Sequence, residues 1–467
     1  MQFEQSSRSS PSPRYSTLST APPRYSVVLD EYPSTDSHYL FPLKNSKGKI
    51  WASVNLQKEN LQRVNNVPVF LEGASPISGS VTLDLESPET IQSIAIAIRG
   101  RAITGANEGG SHTFLDRALS LWSKDQGEPN AFRSARSPGN QPLFSPAVNT
   151  SSSPRSGKLS GAYSFPFSIA VPIDDAAGGS LPETFSERSS LVRVRYELVL
   201  KIGRGRFKAD SKLQVPFIFR RKAIPPDPSD LRKIAYLEHT MAPGPEIDPY
   251  GWVTLSTVDC VGRLLNSRTV VLRCTLSLAN PLSYTRGSFI SCHLRIESVD
   301  EQALDLLASP RNTILRLYRR IRYLYDAGQG MQENGISIAS KQKYEIFDIG
   351  LAVWIHDPAS QDENESRVRC LMGEIHLPKD LPPSSNVMPF GIEYSVILGA
   401  FESATFRPSE NSSASLHTQK VEIVTEFAQG VVPFSSISPD EAAWAHMNER
   451  NESALDAPHK NPFQLIV

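Results

Sequence analysis

Residues 192–202 read VRVRYELVLKI, and this stretch decides the fold because apolar and charged side chains alternate along it. Successive side chains of a β-strand point to opposite faces, so an extended chain would place Val192, Val194 and Tyr196 on one face. The other face would carry Arg193 and further charged residues. A half-buried strand of an antiparallel sheet produces this pattern directly.

Strand-like alternation continues on both sides of this stretch. The sequence GRGR at residues 203–206 leads into a second alternating run at 213–219, which predicts a β-hairpin. GRGR also resembles part of a phosphate-binding loop, but no helix follows it, so the turn is the favoured interpretation. Upstream, residues 81–85 and 94–99 alternate in the same way. Helical periodicity is scarce, with one short helix predicted at 300–308, and the chain is therefore predicted to be all-β.

Composition divides this all-β chain into two sandwiches with flanking segments. Prolines at residues 225–228 cannot continue a β-ladder and mark a linker. Residues 105–158 are rich in Ser, Pro, Gly and Asn, and we interpret them as a largely disordered insertion with at most one helical turn near 115–122. We predict two tandem antiparallel, immunoglobulin-like β-sandwiches. The predicted segments are a disordered tail at 1–48, a first sandwich at 66–221, a linker at 222–249, a second sandwich at 250–427 and a tail at 428–467.

Charge and cysteine usage exclude several classes of protein. The 467 residues include 48 basic and 49 acidic side chains, so no overall positive field favours nucleic acid as a partner. The four cysteines show no CxxC spacing, which predicts buried, reduced thiols and no metal or other cofactor. The sequence contains no apolar run of 18 residues and no secretory apolar segment near its start, which predicts a cytoplasmic protein.

The N-terminal tail carries a candidate ligand for WW domains. The sequence PPRY at residues 22–25 is a complete PPxY motif, and SPRY at 12–15 is an incomplete copy. Consecutive prolines hold the chain near polyproline II before binding, and the tyrosine then fills an aromatic-lined groove. The alternative is a chance match, since Pro- and Ser-rich tails are common. The residues predicted to bind are Pro22, Pro23 and Tyr25, with Pro13 and Tyr15 as an auxiliary site.

A basic segment in the second half is a candidate anion site. A strand over residues 311–323 would place Arg316, Arg320 and Arg322 on one face, opposite an apolar face. Guanidinium groups in a row bind phosphate well, so the hypothesis is a site for anionic phospholipid headgroups or for the phosphorylated tail of a partner protein. The favoured alternative is a solvated strand face whose arginines pair with neighbouring carboxylates.

Several segments together resemble the arrestin N-terminal domain. GAYSFPF at residues 161–167, LPETF at 181–185 and VRYEL at 194–198 follow one another in the order of that family's signature. SGSVTL at 78–83 and IAIAIRG at 94–100 are similar to its earlier strands. In the second half, YTRGSFI and the basic strand resemble the arrestin C-terminal domain more loosely. The resemblance covers about three quarters of the chain, from residue 66 to residue 427.

With the PPxY motif, the chain resembles the fungal type of α-arrestin, which implies an adaptor. The tail would bind the WW domains of a HECT-type ubiquitin ligase, and the sandwiches would bind a membrane receptor or transporter. The implied outcome is ubiquitination and endocytosis of that cargo, with the cytoplasmic adaptor recruited peripherally to the plasma membrane or endosomes. In this family the PPxY motif usually follows the arrestin domains, whereas here it precedes them.

An enzyme is the rival class, and the sequence offers it little support. The histidines at positions 239, 293, 356 and 376 are dispersed, and the sequence contains neither an HExxH zinc motif nor a GxSxG nucleophile elbow. We therefore predict no catalytic residue and no enzymatic activity. A closer alternative is an arrestin-fold trafficking or signalling scaffold of the retromer-subunit kind, which would not recruit a ligase.

Overall fold

The computed structural model describes most of the chain between residues 38 and 437. The motif residues Pro13, Tyr15, Pro22, Pro23 and Tyr25 lie outside the described residues. The described ranges are 38–57, 62–64, 67–73, 76–104, 110–127, 129, 158–172, 179–205, 208–325, 341–358, 367–388, 390–401, 403–409, 415–430 and 432–437.

The first half of the described chain forms two facing sheets. One sheet has the strand order β1-β2-β5-β8, and the other has the order β3-β4-β11-β10-β6-β7 with the short β9 on β10. The strands are β1 (His38–Lys44), β2 (Ile50–Gln57), β3 (Gln62–Val64), β4 (Val67–Leu71), β5 (Ile77–Glu89), β6 (Ile91–Thr104), β7 (Ser111–Ser123), β8 (Leu159–Ile169), β9 (Phe185–Ser186), β10 (Val192–Arg204) and β11 (Ser211–Arg220).

The second half repeats this architecture and adds two short helices. Its sheets have the orders β19-β20-β16-β14-β13-β23, with β12 on β14, and β15-β24-β22-β17-β18, with β21 on β22. The elements are α1 (Asp230–Glu238), β12 (Trp252–Thr254), β13 (Val258–Leu264), β14 (Arg268–Ala279), β15 (Ser283–Thr285), β16 (Phe289–Glu297), α2 (Glu301–Leu307), β17 (Leu315–Tyr325), β18 (Lys341–Leu351), β19 (Val353–His356), β20 (Val368–His376), β21 (Ser385–Val387), β22 (Phe390–Gly399), β23 (Phe406–Pro408) and β24 (Ser415–Val424).

The predicted all-β fold of two tandem sandwiches is confirmed, and β10 shows why the sequence predicts it. The apolar face of β10 is buried along its whole length, from Val192 to Ile202. β10 forms the predicted hairpin with β11, pairing Leu198 with Val215. The described strands pair in antiparallel fashion except for two short parallel pairs, β4 with β11 and β15 with β24.

The interpretation of residues 105–158 as a disordered insertion is wrong for β7. This strand pairs with β6 over eleven registered positions, so the helical turn predicted near 115–122 is wrong as well. The register shifts twice, leaving Phe114 and Leu121 as extra residues in β7. Each β-bulge moves the alternation by one position, and the apolar residues then recur at helix-like spacings.

The predicted boundaries also differ from the structure at three other places. β1 lies inside the predicted N-terminal tail, where its Phe41 is buried. Helix α1 lies inside the predicted linker and begins after Ser229, whose hydroxyl caps it by accepting from the Arg232 N–H at 3.2 Å. Residues 432–437, part of the predicted C-terminal tail, pack against β20 through the buried Ile437. These segments are short and partly polar, so tertiary contacts rather than periodicity hold them in place.

The cysteines of the described chain lie in the interior of the second sandwich. All four cysteines are buried, none of them forms a disulfide within the described residues, and burial raises the pKa of the Cys274 and Cys292 thiols. Of the helices in the described ranges, none is long and apolar enough to span a membrane.

Candidate functional site

The three arginines predicted as an anion site do share one face of β17. β17 lies in the interior of its sheet, between β22 and β18. Arg316, Arg320 and Arg322 are partly exposed, whereas Leu317 and Ile321 on the opposite face are fully buried. The sequence therefore predicts both faces of this strand correctly.

Two of these arginines are bound to carboxylates from neighbouring strands. Arg316 Nη1 donates to Asp348 Oδ2 at 2.8 Å, and Arg320 forms an ion pair with Glu393. The Arg320 guanidinium also lies 5.2 Å from the centroid of the Tyr344 ring. Most of the charge on this face is therefore already compensated, as the alternative interpretation of the segment expects.

Arg322 differs from its two neighbours. Its Nη2 donates to Asn386 Oδ1 at 2.6 Å, and its Nη1 contacts Met388 Sδ. Among the residues that the structure describes, no carboxylate oxygen lies within 4.0 Å of this guanidinium. Arg322 is therefore the position on this face that has a positive charge to offer an anion.

A substitution at Arg322 tests whether its charge binds anionic lipid headgroups. If the face binds anionic headgroups, Arg322→Gln is expected to weaken binding to phosphatidylserine vesicles roughly fivefold, since one basic residue near such a surface contributes about 1 kcal/mol. Vesicle sedimentation measures the affinity. Arg99→Gln, in the first sandwich, is the matched control because it changes the net charge equally. Equal binding by the Arg322→Gln variant and the wild-type protein would exclude a headgroup site here.

The two sandwiches meet at the loop that carries the LPETF sequence. We call the contacts of residues 181–191 with the second sandwich the joint. The Glu183 carboxylate accepts from Arg286 Nη1, in the second sandwich, at 3.0 Å and from the Arg221 N–H at 3.0 Å. The rings of Phe185 and Phe390 pack with centroids 5.9 Å apart. The joint thus combines apolar packing with a largely buried ion pair.

The joint contains a second ion pair, whose arginine is more deeply buried than Arg286. Arg319 of β17 donates to both carboxylate oxygens of Glu187, at 2.7 and 2.6 Å, and is only 5% exposed. Its guanidinium lies 4.6 Å from the centroid of the Phe347 ring. Arg319 is not among the residues predicted from the sequence, although its position in phase with Leu317 and Ile321 on the apolar face is a signal for it.

Both sandwiches build their side of the joint in the same way. Each contributes a Leu-Pro sequence followed by a buried tyrosine on the next long strand. Tyr196 Oη donates to the Pro182 carbonyl at 2.6 Å, and Tyr394 Oη donates to the Pro382 carbonyl at 2.5 Å. Burial raises the pKa of both tyrosines, so both hydroxyls stay protonated and keep these hydrogen bonds.

The two Leu-Pro segments are also alike in the hydroxyl residue that follows them, Thr184 in the first sandwich and Ser384 in the second. Thr184 exchanges two hydrogen bonds with the backbone of Phe219, at 3.0 and 2.9 Å. Ser384 exchanges the same two with the backbone of Ile423, at 2.8 and 2.9 Å. Arg221 of the first half then donates to the Ser384 carbonyl at 2.7 Å. Each half thus supplies an arginine to the Leu-Pro segment of the other half.

The C-terminal end of the described chain is held by a buried carboxylate. Glu374 on β20 is 5% exposed and accepts from Ser435 Oγ at 2.6 Å and from the Ser436 N–H at 2.9 Å. Burial raises the pKa of Glu374. The ring of Phe434 packs against that of His239 at the end of α1, with centroids 5.0 Å apart. Residues 432–437 therefore belong to the surface of the second sandwich.

The architecture defines a class of protein: two β-sandwiches in tandem, fixed to each other by a partly polar joint. Within that class, residues 61–218 match the family described as Arrestin (or S-antigen), N-terminal domain. This range runs from the start of β3 into β11. No curated protein matches the chain significantly. The first sandwich is thus similar to the arrestin N-terminal domain over residues 61–218, which supports an arrestin-like adaptor or scaffold.

Proposed function

We propose that this protein is an arrestin-related trafficking adaptor. It binds the cytoplasmic part of a membrane receptor or transporter and recruits a WW-domain HECT-type ubiquitin ligase, which promotes ubiquitination and endocytosis of that cargo. The observation that carries the proposal is the arrestin N-terminal domain match in a chain whose N-terminal part contains PPRY at residues 22–25. The activity is association, and this chain breaks no covalent bond.

The two functions lie on different parts of the chain. The ligase binds Pro22, Pro23 and Tyr25, with Pro13 and Tyr15 as an auxiliary site. The cargo binds to the sheet edges and inter-strand loops of the sandwiches. Joining both partners to one chain raises the effective concentration of the ligase at the cargo's lysines, into the millimolar range for a short flexible connection.

The place of action follows from the cargo. A cytoplasmic adaptor of this kind is recruited peripherally to the plasma membrane or to endosomes by the membrane protein that it binds. Arg322 supplies an additional contact with anionic phospholipids, and Arg316 and Arg320 contribute only if their carboxylate partners are displaced.

Titration with tandem WW domains of a HECT-type ligase tests the proposal. The full chain is expected to bind, and Tyr25→Ala is expected to weaken binding about tenfold or more, since burying one aromatic side chain contributes about 1.5–3 kcal/mol. Calorimetry measures both affinities. Tyr15→Ala is the matched control, and its effect is expected to be smaller because SPRY lacks the first proline.

The outcome distinguishes the two candidate functions. Loss of binding in Tyr25→Ala, together with loss of cargo ubiquitination in cells, supports the adaptor. Unchanged affinity would falsify ligase recruitment through this motif. The arrestin-fold scaffold without a ligase, of the retromer-subunit kind, would then be the better description.

A further inference from the structure

Helix α1 carries a buried arginine that has no counter-ion among the described residues. Arg232 is 2% exposed, and its Nη2 donates to the Gly251 carbonyl at 2.9 Å. Its Nη1 lies 3.4 Å from Ser291 Oγ, and its guanidinium lies 4.5 Å from the centroid of the Trp252 ring. All of these partners are neutral. They orient the guanidinium but leave its charge uncompensated.

The buried arginines of the joint are paired with carboxylates, whereas Arg232 has none close to it among the described residues. Over the described part of the chain, no carboxylate oxygen lies within 4.0 Å of this guanidinium. Asp248 belongs to the same network, but it accepts from Ser229 Oγ and from the Gly251 N–H instead. Arg319, which is similarly buried, has a bidentate carboxylate partner. Buried charges in proteins are normally paired, so a buried guanidinium with only neutral partners is suited to bind an external anion.

A pocket lies directly beside this arginine. It has a volume of about 60 Å³, and its lining includes Arg232, Tyr284, Phe289 and prolines of the linker between the sandwiches. Two buried polar atoms of its lining residues, Arg232 Nε and Ser283 Oγ, have no hydrogen-bond partner in the described part of the chain. A single water needs about 10–15 Å³ measured in this way, so the pocket has room for a group of several heavy atoms.

We propose that this pocket binds a carboxylate carried on a small apolar body, with Arg232 as its counter-ion. A carboxylate has one negative charge and two acceptor oxygens, which one guanidinium neutralises. A phosphate, with a charge near −2, would remain undercompensated beside one arginine. The prolines and aromatic rings of the lining fit an apolar body and offer few other donors. The proposal does not depend on the ligase or on the cargo.

Thermal unfolding of the full chain tests the site with acetate, butyrate and inorganic phosphate as probes, each against chloride at equal ionic strength. Butyrate and acetate are expected to raise the melting temperature, by about 3 °C at ten times the dissociation constant. Butyrate should act at lower concentration than acetate because it also fills the apolar part of the pocket. Phosphate should stabilise the wild type no more than it stabilises an Arg232→Met variant, because its general stabilising effect does not require Arg232. A calorimetric titration with butyrate measures binding directly.

Two variants assign the effect to Arg232. Arg232→Met is expected to abolish the response to butyrate, whereas Arg99→Met, a partly exposed control in the first sandwich, keeps it. Ser291→Asp places a carboxylate next to Arg232 within the chain itself, because Ser291 Oγ already lies 3.4 Å from Nη1. This variant is expected to lose the butyrate response; its stability is not part of the test, because residue 291 lies opposite the buried Glu374 of β20.

Each result decides for or against the carboxylate site. A butyrate response that Ser291→Asp removes supports it, even if Arg232→Met does not fold. The proposal is overturned if butyrate gives no calorimetric signal and no rise in melting temperature. It is also overturned if the stabilisation by phosphate that requires Arg232 is as strong as that by butyrate, or if Ser291→Asp keeps the full butyrate response.

Discussion

Replacing Glu187 with alanine is expected to lower the free energy of unfolding by about 3 kcal/mol, because it leaves the buried Arg319 guanidinium without its carboxylate partner. Arg319 is 5% exposed, and both hydrogen bonds of its bidentate pair end on Glu187. The value lies at the lower end of the range for breaking buried pairs, since the Glu187 side chain is 29% exposed. Urea denaturation followed by circular dichroism measures the loss.

The pair should respond asymmetrically to substitution. Arg319→Met removes the buried charge and leaves Glu187 free to hydrate, so we expect a smaller loss of stability than for Glu187→Ala. The matched control is Asp116→Ala, which breaks the more exposed Arg99–Asp116 pair and is expected to cost less than about 1 kcal/mol. If Glu187→Ala is no more damaging than Asp116→Ala, the joint does not depend on this ion pair.

Gly79→Ala is expected to cost about 3 kcal/mol, the upper part of the usual range for overpacking. A β-carbon at Gly79 would lie 2.1 Å from the backbone oxygen of Asn55 on the paired strand β2, and 3.0 Å from Phe167 on β8. A side chain could rotate away, but a backbone oxygen moves only if the strand moves. The small residue in SGSVTL is therefore required by the close approach of β2 and β5.

A second glycine supplies the control for this experiment. At Gly399 the β-carbon would lie 3.6 Å from the nearest atoms of Ile314, which is ordinary van der Waals contact. Gly399→Ala is therefore expected to change the melting temperature much less than Gly79→Ala. The difference in melting temperature between the two variants measures the cost of the steric clash, because both replace a strand glycine by alanine. Equal melting temperatures would mean that β2 and β5 can separate without loss.

The sequence predicts the fold best where a strand is half-buried and contains no bulge. β10 satisfies both conditions for this, because one face packs into the core and no bulge interrupts its alternation between Val192 and Ile202. β7 fails the second condition. Its extra residues, Phe114 and Leu121, put apolar side chains in neighbouring positions and imitate a helix. The class and architecture were therefore predictable, but the strand within the supposed insertion was not.

The candidate sites were predictable to different degrees. The outward face of β17 follows from alternation alone, but the bonds of Arg316 to Asp348 and of Arg320 to Glu393 depend on strand pairing that the sequence does not contain. The burial of Arg232 could not be predicted from the sequence, because an arginine in a short amphipathic helix normally lies at the surface. The WW-domain ligand lies outside the described residues and stays a prediction.

The joint has a consequence for the newly made chain. Protein synthesis proceeds from the N-terminus at about 5–20 residues per second. The partner of Glu183 lies 103 residues further along the chain, and that of Glu187 lies 132 residues further. On the ribosome, the first sandwich therefore spends on the order of 10 s with both carboxylates hydrated and Phe185 uncovered. During that interval the first sandwich exposes apolar surface, which can be covered only after β22 with its Phe390 has been made.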